Sequence, residues 1–235
     1  TTNGLYINES KYGVEGGQVL LVNNVFYLFI TEFIGDPRWV PSKLALWSTN
    51  LNEFPFGWKR LETLYESNGI ENCDPNNTRD SLGSSITAIF DENKDKWLIY
   101  YVGFESCGND TYFYNRNGNI YLAESSVNGI NGIKGPYNDV DIILKPDSNS
   151  QYWEGLQGVD SLSNPFYIES LKEYYAFYGS ANTQNKPNIT HYVGLASATS
   201  LYGPWNRVNG NINPVSMFEP NNIEQPIVTQ FYDGS

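Results

Sequence analysis

Four carboxylates stand at comparable places ahead of short apolar runs. Glu15 heads "VEGGQVLLV", Asp80 opens "DSLGSSITAIF", Asp160 opens "DSLSNPFYI" and Glu224 precedes "QPIVT". The tripeptide Asp-Ser-Leu recurs at Asp80 and Asp160. Burying an acid is costly unless it is paired, so the repetition calls for a reason. Gathered acids can supply the proton donor and the base or nucleophile that flank a glycosidic bond. They can instead ligate a hard cation such as calcium, or merely cap turns by accepting backbone N–H groups. Taken singly each acid reads as a cap; arriving together from successive repeats, they read as a site.

The neighbours of these acids extend the same chemistry. Arg79 beside Asp80 could clamp a sugar hydroxyl or carboxylate, or form an ordinary local ion pair. Trp39 and Trp153 fall in loops next to the acid-bearing ends and are candidates for stacking on a sugar ring, while most other aromatic side chains are expected to pack in the core. Glu154, next to Trp153, is a further candidate acid. His191 begins an outer-type strand and reads as a surface residue. One His and two Cys make a protein-built zinc site implausible. No Gly-rich phosphate loop is present, and no Ser or Cys nucleophile has an evident His partner. No redox cofactor is implied, and a structural calcium is the one metal the acids suggest.

The elements that must position these residues repeat. "VFYLFIT" from Val25, "WLIYYVGF" from Trp97 and "YYAFYGS" from Tyr174 are equivalent strands. Each follows a shorter apolar strand and a polar turn, and each precedes a third strand ("KLALWST", "IYLAESS", "VGLASAT"). A Gly-aromatic corner at Trp58, Tyr137 and Trp205 then leads to a fourth strand. The pattern predicts an all-β fold, a β-propeller of four-stranded blades with roughly 75 residues each. Residues 1–235 read as a single propeller domain holding three blades and the start of a fourth at "EQPIVTQFYDGS". Three blades and one strand cannot close a ring, so a further chain segment is expected to complete it. The alternative is a β-sandwich with fortuitously similar strands. In a propeller the first strand of each blade lines the axis, which would bring Glu15, Asp80, Asp160 and Glu224 to one end of it.

Composition bounds the partners and the compartment. Eighteen Tyr, 12 Phe and 6 Trp, with 21 Gly and 12 Pro, suit short strands joined by turns. The net charge of −12 disfavours nucleic acid and anionic membranes as partners. No apolar run reaches the ~18 residues of a membrane span. Cys73 and Cys107 flank one predicted hairpin and could be bonded. Four N-x-S/T sequons, at Asn8, Asn76, Asn109 and Asn188, lie in polar loop-like stretches. Together these predict a secreted, extracellular glycoprotein with one disulfide; two buried free thiols in a cytosolic protein are the alternative.

The blade order and the phrases "FYLFIT", "LASATSLYGPW" and "EQPIVTQFYDG" resemble the five-bladed propeller glycoside hydrolases, the arabinanase, xylosidase, invertase and levansucrase relatives of families 43, 62, 32, 68 and 117. That group draws an Asp base or nucleophile from its first blade, a positioning or pKa-tuning Asp from the second, and a Glu general acid from the third. The resemblance implies that Glu15 holds the first position, as a Glu in place of the Asp, and Asp80 in "RDS" the second. The third falls on Glu154, whose "WEG" is similar to the Trp-Glu-Cys of invertases, or on Asp160 by repeat register. The Trp-Met-Asn-Asp-Pro opening of invertases is absent. The family 43 pattern fits best and implies a carboxyl separation of about 6.5–9.5 Å, that of an inverting hydrolase. The chain is therefore expected to be a glycosidase acting on a neutral or weakly acidic glycan. Its rival is a non-catalytic glycan-binding or assembly propeller on the same scaffold.

Overall fold

The computed structural model describes residues 12–35, 40–69, 79–106, 115–185, 188–208 and 213–215. Three antiparallel sheets follow one another along the chain. The first holds β1 (Val14–Val22), β2 (Val25–Phe33), β3 (Ser42–Asn50) and β4 (Lys59–Glu66) in sequence order. The second holds β5 (Ser81–Asp91), β6 (Lys96–Ser106), β7 (Asn115–Ser125) and β8 (Tyr137–Leu144). The third is built on β11 (Glu173–Ala181), β12 (His191–Ala198) and β13 (Asn206–Arg207). Its first strand is divided into β9 (Ser161–Leu162) and β10 (Phe166–Ile168), both paired to β11. Pro165 lies in the interruption, where a residue without an N–H cannot serve the ladder. Each sheet is a propeller blade, and the fold is all-β as the repeat predicts.

Local chemistry sets the hairpins. Asn23 and Asn24 both take positive φ (50° and 63°) in the two-residue turn between β1 and β2. Such a turn follows the twist of the flanking strands, and Asn tolerates it better than most residues.

Two apolar layers hold the blades together. Tyr27, Phe29, Leu44 and Leu46 of the first blade meet Leu82, Ile86, Ile99 and Tyr101 of the second. Tyr100, Val102, Ile120 and Leu122 of the second meet Leu162, Ala176, Tyr178 and Ala196 of the third. The middle blade is thus buried on both faces, which is why "WLIYYVGF" reads as a continuous apolar run. The exposed apolar residues Val19 and Leu21 lie on β1.

The inner strands run side by side in the same direction. A Cβ on Gly16 would sit 1.5 Å from the Ser84 carbonyl oxygen, so only glycine allows β1 to approach β5 there. Further along, the Ala88 N–H donates to Gln18 Oε1 at 2.6 Å, and Gln18 Nε2 donates to Asn164 Oδ1 at 3.2 Å. The Thr87 hydroxyl donates to the Leu162 carbonyl at 2.7 Å. Among the described residues, no helix is long and apolar enough to cross a membrane.

Candidate functional site

The strand directions bring Glu15, Asp80 and Asp160 to the same end of the three inner strands. Each inner strand is also irregular near that end. In β1 the pairing with β2 slips between Glu15 and Gln18, where Gly16 and Gly17 take φ of 66° and 112°. In β5 it slips between Leu82 and Ile86, and in the third blade β9 and β10 are separate strands. Bulges re-aim the side chains beside them. The glycine pair after Glu15 explains how a half-buried acid heads a strand whose later residues pack on the core.

Asp80 and Asp160 occupy equivalent backbone positions. The Asp80 N–H donates to the Phe104 carbonyl at 2.9 Å, and Ser81 pairs with Phe104. The Asp160 N–H donates to the Gly179 carbonyl at 3.0 Å, and Ser161 pairs with Gly179. Glu15 is not in that register, because its bulge follows at once rather than three residues later.

The two aspartates nevertheless differ in surroundings. Asp80 is fully buried, and its Oδ2 accepts the Ser106 N–H at 3.1 Å. It fastens the end of β6, the capping role open to any strand-head acid, and can hold neighbouring groups but not meet a ligand directly. Asp160 is half-buried. Its Oδ2 accepts Gln157 Nε2 at 2.9 Å and its Oδ1 accepts the Ser161 hydroxyl at 3.0 Å.

Glu154 and Trp153 lie in the interior. Glu154 is 1% exposed and its two oxygens accept Arg207 Nε at 2.6 Å and Nη2 at 2.7 Å. Oε1 also accepts the Tyr178 hydroxyl at 3.0 Å and the Gln151 N–H at 3.1 Å. With both oxygens committed in the interior, Glu154 is a structural ion-pair member and not an acid presented to a sugar. Burial, and then the Glu154 charge, push the Tyr178 phenol above the usual tyrosine range. Trp153 is wholly buried, stacked on Tyr178 at 5.6 Å and tilted against Tyr192, so its ring face belongs to the core.

Arg79 points away from the axis. Its Nη1 donates to Asp139 Oδ2 at 2.6 Å and to the Tyr101 hydroxyl at 3.0 Å, and its guanidinium lies over the Tyr121 ring. Tyr65 and Tyr101 stack at 4.6 Å beside it. Arg79 is thus ion-paired with Asp139 on β8, 60 residues along the chain and not locally, and the pair is about one-third exposed.

Several candidates, Trp39, Glu224, Cys73, Cys107, Asn8, Asn76 and Asn109, lie outside the described residues. Asn188 is described and exposed, and His191 is half-buried as the first residue of β12. Among the described residues, no group of three or more His, Cys, Asp or Glu is placed to hold a metal ion. An axial cleft of about 320 Å³ lies farther along the inner strands, lined by Gln18, Leu20, Phe90, Trp97 and Asn164. It is separate from the acids.

Sequence reasoning missed Gln157, Gly179 and Arg207. Gln157 sits three residues before Asp160, and Gly179 lies across the ladder from Ser161 and accepts the Asp160 N–H; only Arg207 had a hint, in the Gly-aromatic corner that precedes β13.

No family model and no curated protein matches the chain. Its fold is similar to those of solved propeller glycoside hydrolases. A family 117 glycoside hydrolase from the marine bacterium Zobellia galactanivorans superposes with a TM-score of 0.59 at 16% identity, over 91% of this chain and 60% of that one. The catalytic domain of the GH62 alpha-L-arabinofuranosidase of Coprinopsis cinerea gives 0.54 at 16%, over 89% and 56%. The alpha-L-arabinanase of Cellvibrio cellulosa gives 0.50 at 13%, over 80% and 53%. The chain thus spans 53–60% of the length of these three proteins.

Proposed function

We propose that this chain is the larger part of a glycan-active propeller of the glycoside-hydrolase kind, with its site at the acid-bearing end of the inner strands. The observation that carries the reading is the identical ladder position of Asp80 and Asp160, with Glu15 at the same end of the adjoining strand. Glu15 and Asp160, both half-buried, are the pair that meets the glycan. Glu15 serves as base or nucleophile and Asp160 faces it, while buried Asp80 holds the arrangement from beneath. Carbohydrate is the ligand class, in keeping with the arabinofuranosidase and the arabinanase among the structural neighbours.

A second reading has its own support. The axial cleft lies away from the acids, and a Glu stands where the resembling enzymes use Asp, displacing the carboxylate by a methylene. On that reading the propeller binds a glycan without cleaving it. One screen separates the two. Wild type, Glu15→Gln and Asp160→Asn are tested for hydrolysis and binding against a glycoside panel that includes alpha-L-arabinofuranosides and arabinan. Hydrolysis by the wild type, lost in both variants, supports the enzyme. Binding without turnover supports the module, and hydrolysis unchanged in Glu15→Gln sinks the assignment of Glu15.

Secretion, N-glycosylation and a Cys73–Cys107 disulfide belong to the same proposal, supported by the sequons and the exposed Asn188. Mass spectrometry of native material finding both thiols free would count against them. A further segment completing the ring is supported by the exposed Val19 and Leu21 on β1.

A further inference from the structure

We propose that Gln157 and Gly179 are positioning residues that seat the Asp160 carboxylate, an inference that rests on the glycan-site reading above. Asp80 and Asp160 share one ladder position, so the backbone alone does not decide which of them reaches a ligand. The residue across the ladder does. Phe104 stands opposite the start of β5 and packs into the layer between the second and third blades. Gly179 stands at the same place in the third blade. A Cβ there would lie 2.2 Å from Asp160 Oδ1 and 2.3 Å from the Ser161 hydroxyl oxygen. Gly179 is not among the glycines with positive φ. Its requirement is therefore for space and not for backbone conformation: the carboxylate occupies the room a methyl group would take.

Gln157 closes the other side. It is 9% exposed, and its Nε2 donates to Asp160 Oδ2 at 2.9 Å. Its Oε1 is buried with no hydrogen-bond partner among the described residues. An orphan buried acceptor is destabilising, a penalty that an apolar side chain of similar size would avoid. What the amide supplies in return is its N–H. The side chain starts from a fixed point, because the Gln157 carbonyl accepts the Gly118 N–H at 2.8 Å and the Val159 N–H donates to the Gly118 carbonyl at 3.1 Å. The acid is thus held on one oxygen by a buried amide and on the other by Ser161, above a glycine floor. Preorganisation of this kind is what places a carboxylate against a substrate without reordering it on binding.

The test reads the carboxylate itself. Protein labelled with 13C at the aspartate carboxyl carbon is observed by NMR at neutral pH, and the Asp160 resonance is assigned by its disappearance in Asp160→Asn. Gln157→Met, close in length but without a donor, is expected to displace that resonance beyond its linewidth and leave the Asp80 resonance in place. Gly179→Ala, which adds one methyl group, is expected to do the same and carries the test should Gln157→Met fail to fold. An Asp160 resonance unmoved in either folded variant overturns the seat, whatever the glycoside panel finds. Displacement in a protein that binds no glycan supports the seat and removes the glycan reading instead.

Discussion

Asp80 and Asp160 begin the same tripeptide, donate the same backbone hydrogen bond and precede the same rung of their sheets, yet one is sealed in and the other is half-buried. The difference lies across the ladder, in Phe104 against Gly179, and in what each carboxylate accepts. Asp80 takes a backbone N–H from the strand beside it. Asp160 takes side-chain donors from Gln157 in the connector before it and from Ser161 at the head of β9. A repeat therefore fixes where a backbone goes, while the partner residue decides what the side chain there is for.

The sharpest break of this comparison targets the connector 145–160, which leads from β8 to Asp160. Arg207 grips it through Glu154, the Lys145 carbonyl at 3.1 Å and the Ser150 hydroxyl at 3.2 Å. Arg207→Met leaves the Glu154 charge buried and unpaired, and chemical denaturation should register a loss of about 3–5 kcal/mol. Replacing both partners together, Arg207→Met with Glu154→Leu, should recover most of it.

Next comes the buried aspartate. Asp80→Ala strands the Ser106 N–H and is expected to cost about 1–3 kcal/mol in the same measurement. A loss well below that range would mean that water replaces the carboxylate, and that Asp80 is less enclosed than its burial suggests.

The third effect separates the blades by pH. Tyr178 follows Leu162 across the ladder in the third blade, where the middle blade has Gly103 opposite Leu82. The folded-state pKa of the Tyr178 phenol lies above its unfolded value near 10. Below pH 10 both states keep the proton and nothing changes. Above it the unfolded chain releases the proton first, so stability falls as pH rises toward the folded value. Tyr178→Phe should lessen that alkaline slope by up to about 1.4 kcal/mol per pH unit. Parallel slopes in the two proteins would deny the shift.

The smallest effect on stability belongs to Asp160. Asp160→Asn keeps a side chain of the same shape at a half-buried position, and its stability should change by less than about 1 kcal/mol. Glycan binding or turnover is expected to be lost all the same. A variant that behaves like Asp80→Ala would erase the distinction between the two acids.

The blades were legible because their signals are local. The Asn23–Asn24 turn, the recurring "VFYLFIT"-type strand and the Asp-Ser-Leu tripeptide each lie within a few residues of one another, and together they place three sheets and their inner strands. The seat was not legible, since Gly179 meets Asp160 only once β11 is paired in register. Nor was the ion pair, whose members are separated by 53 residues. "WEG" pointed at Glu154 through resemblance to an acid of other proteins, and no short phrase reveals that an arginine on β13 will claim both oxygens. The burial of Trp153 was hidden for a related reason: a tryptophan in a connector looks exposed until the connector itself is packed.

The Gln18 side chain carries a last consequence, for the order in which the molecule assembles. Each blade is a meander of sequence neighbours, so its loops close over short stretches of chain at small entropic cost. Gln18 bonds instead across 70 residues to Ala88 and across 146 to Asn164. Contacts of such separation form late, since the chain between them must first be ordered. As the protein leaves the ribosome, the first blade can pair internally while Gln18 waits for the second and third inner strands to arrive.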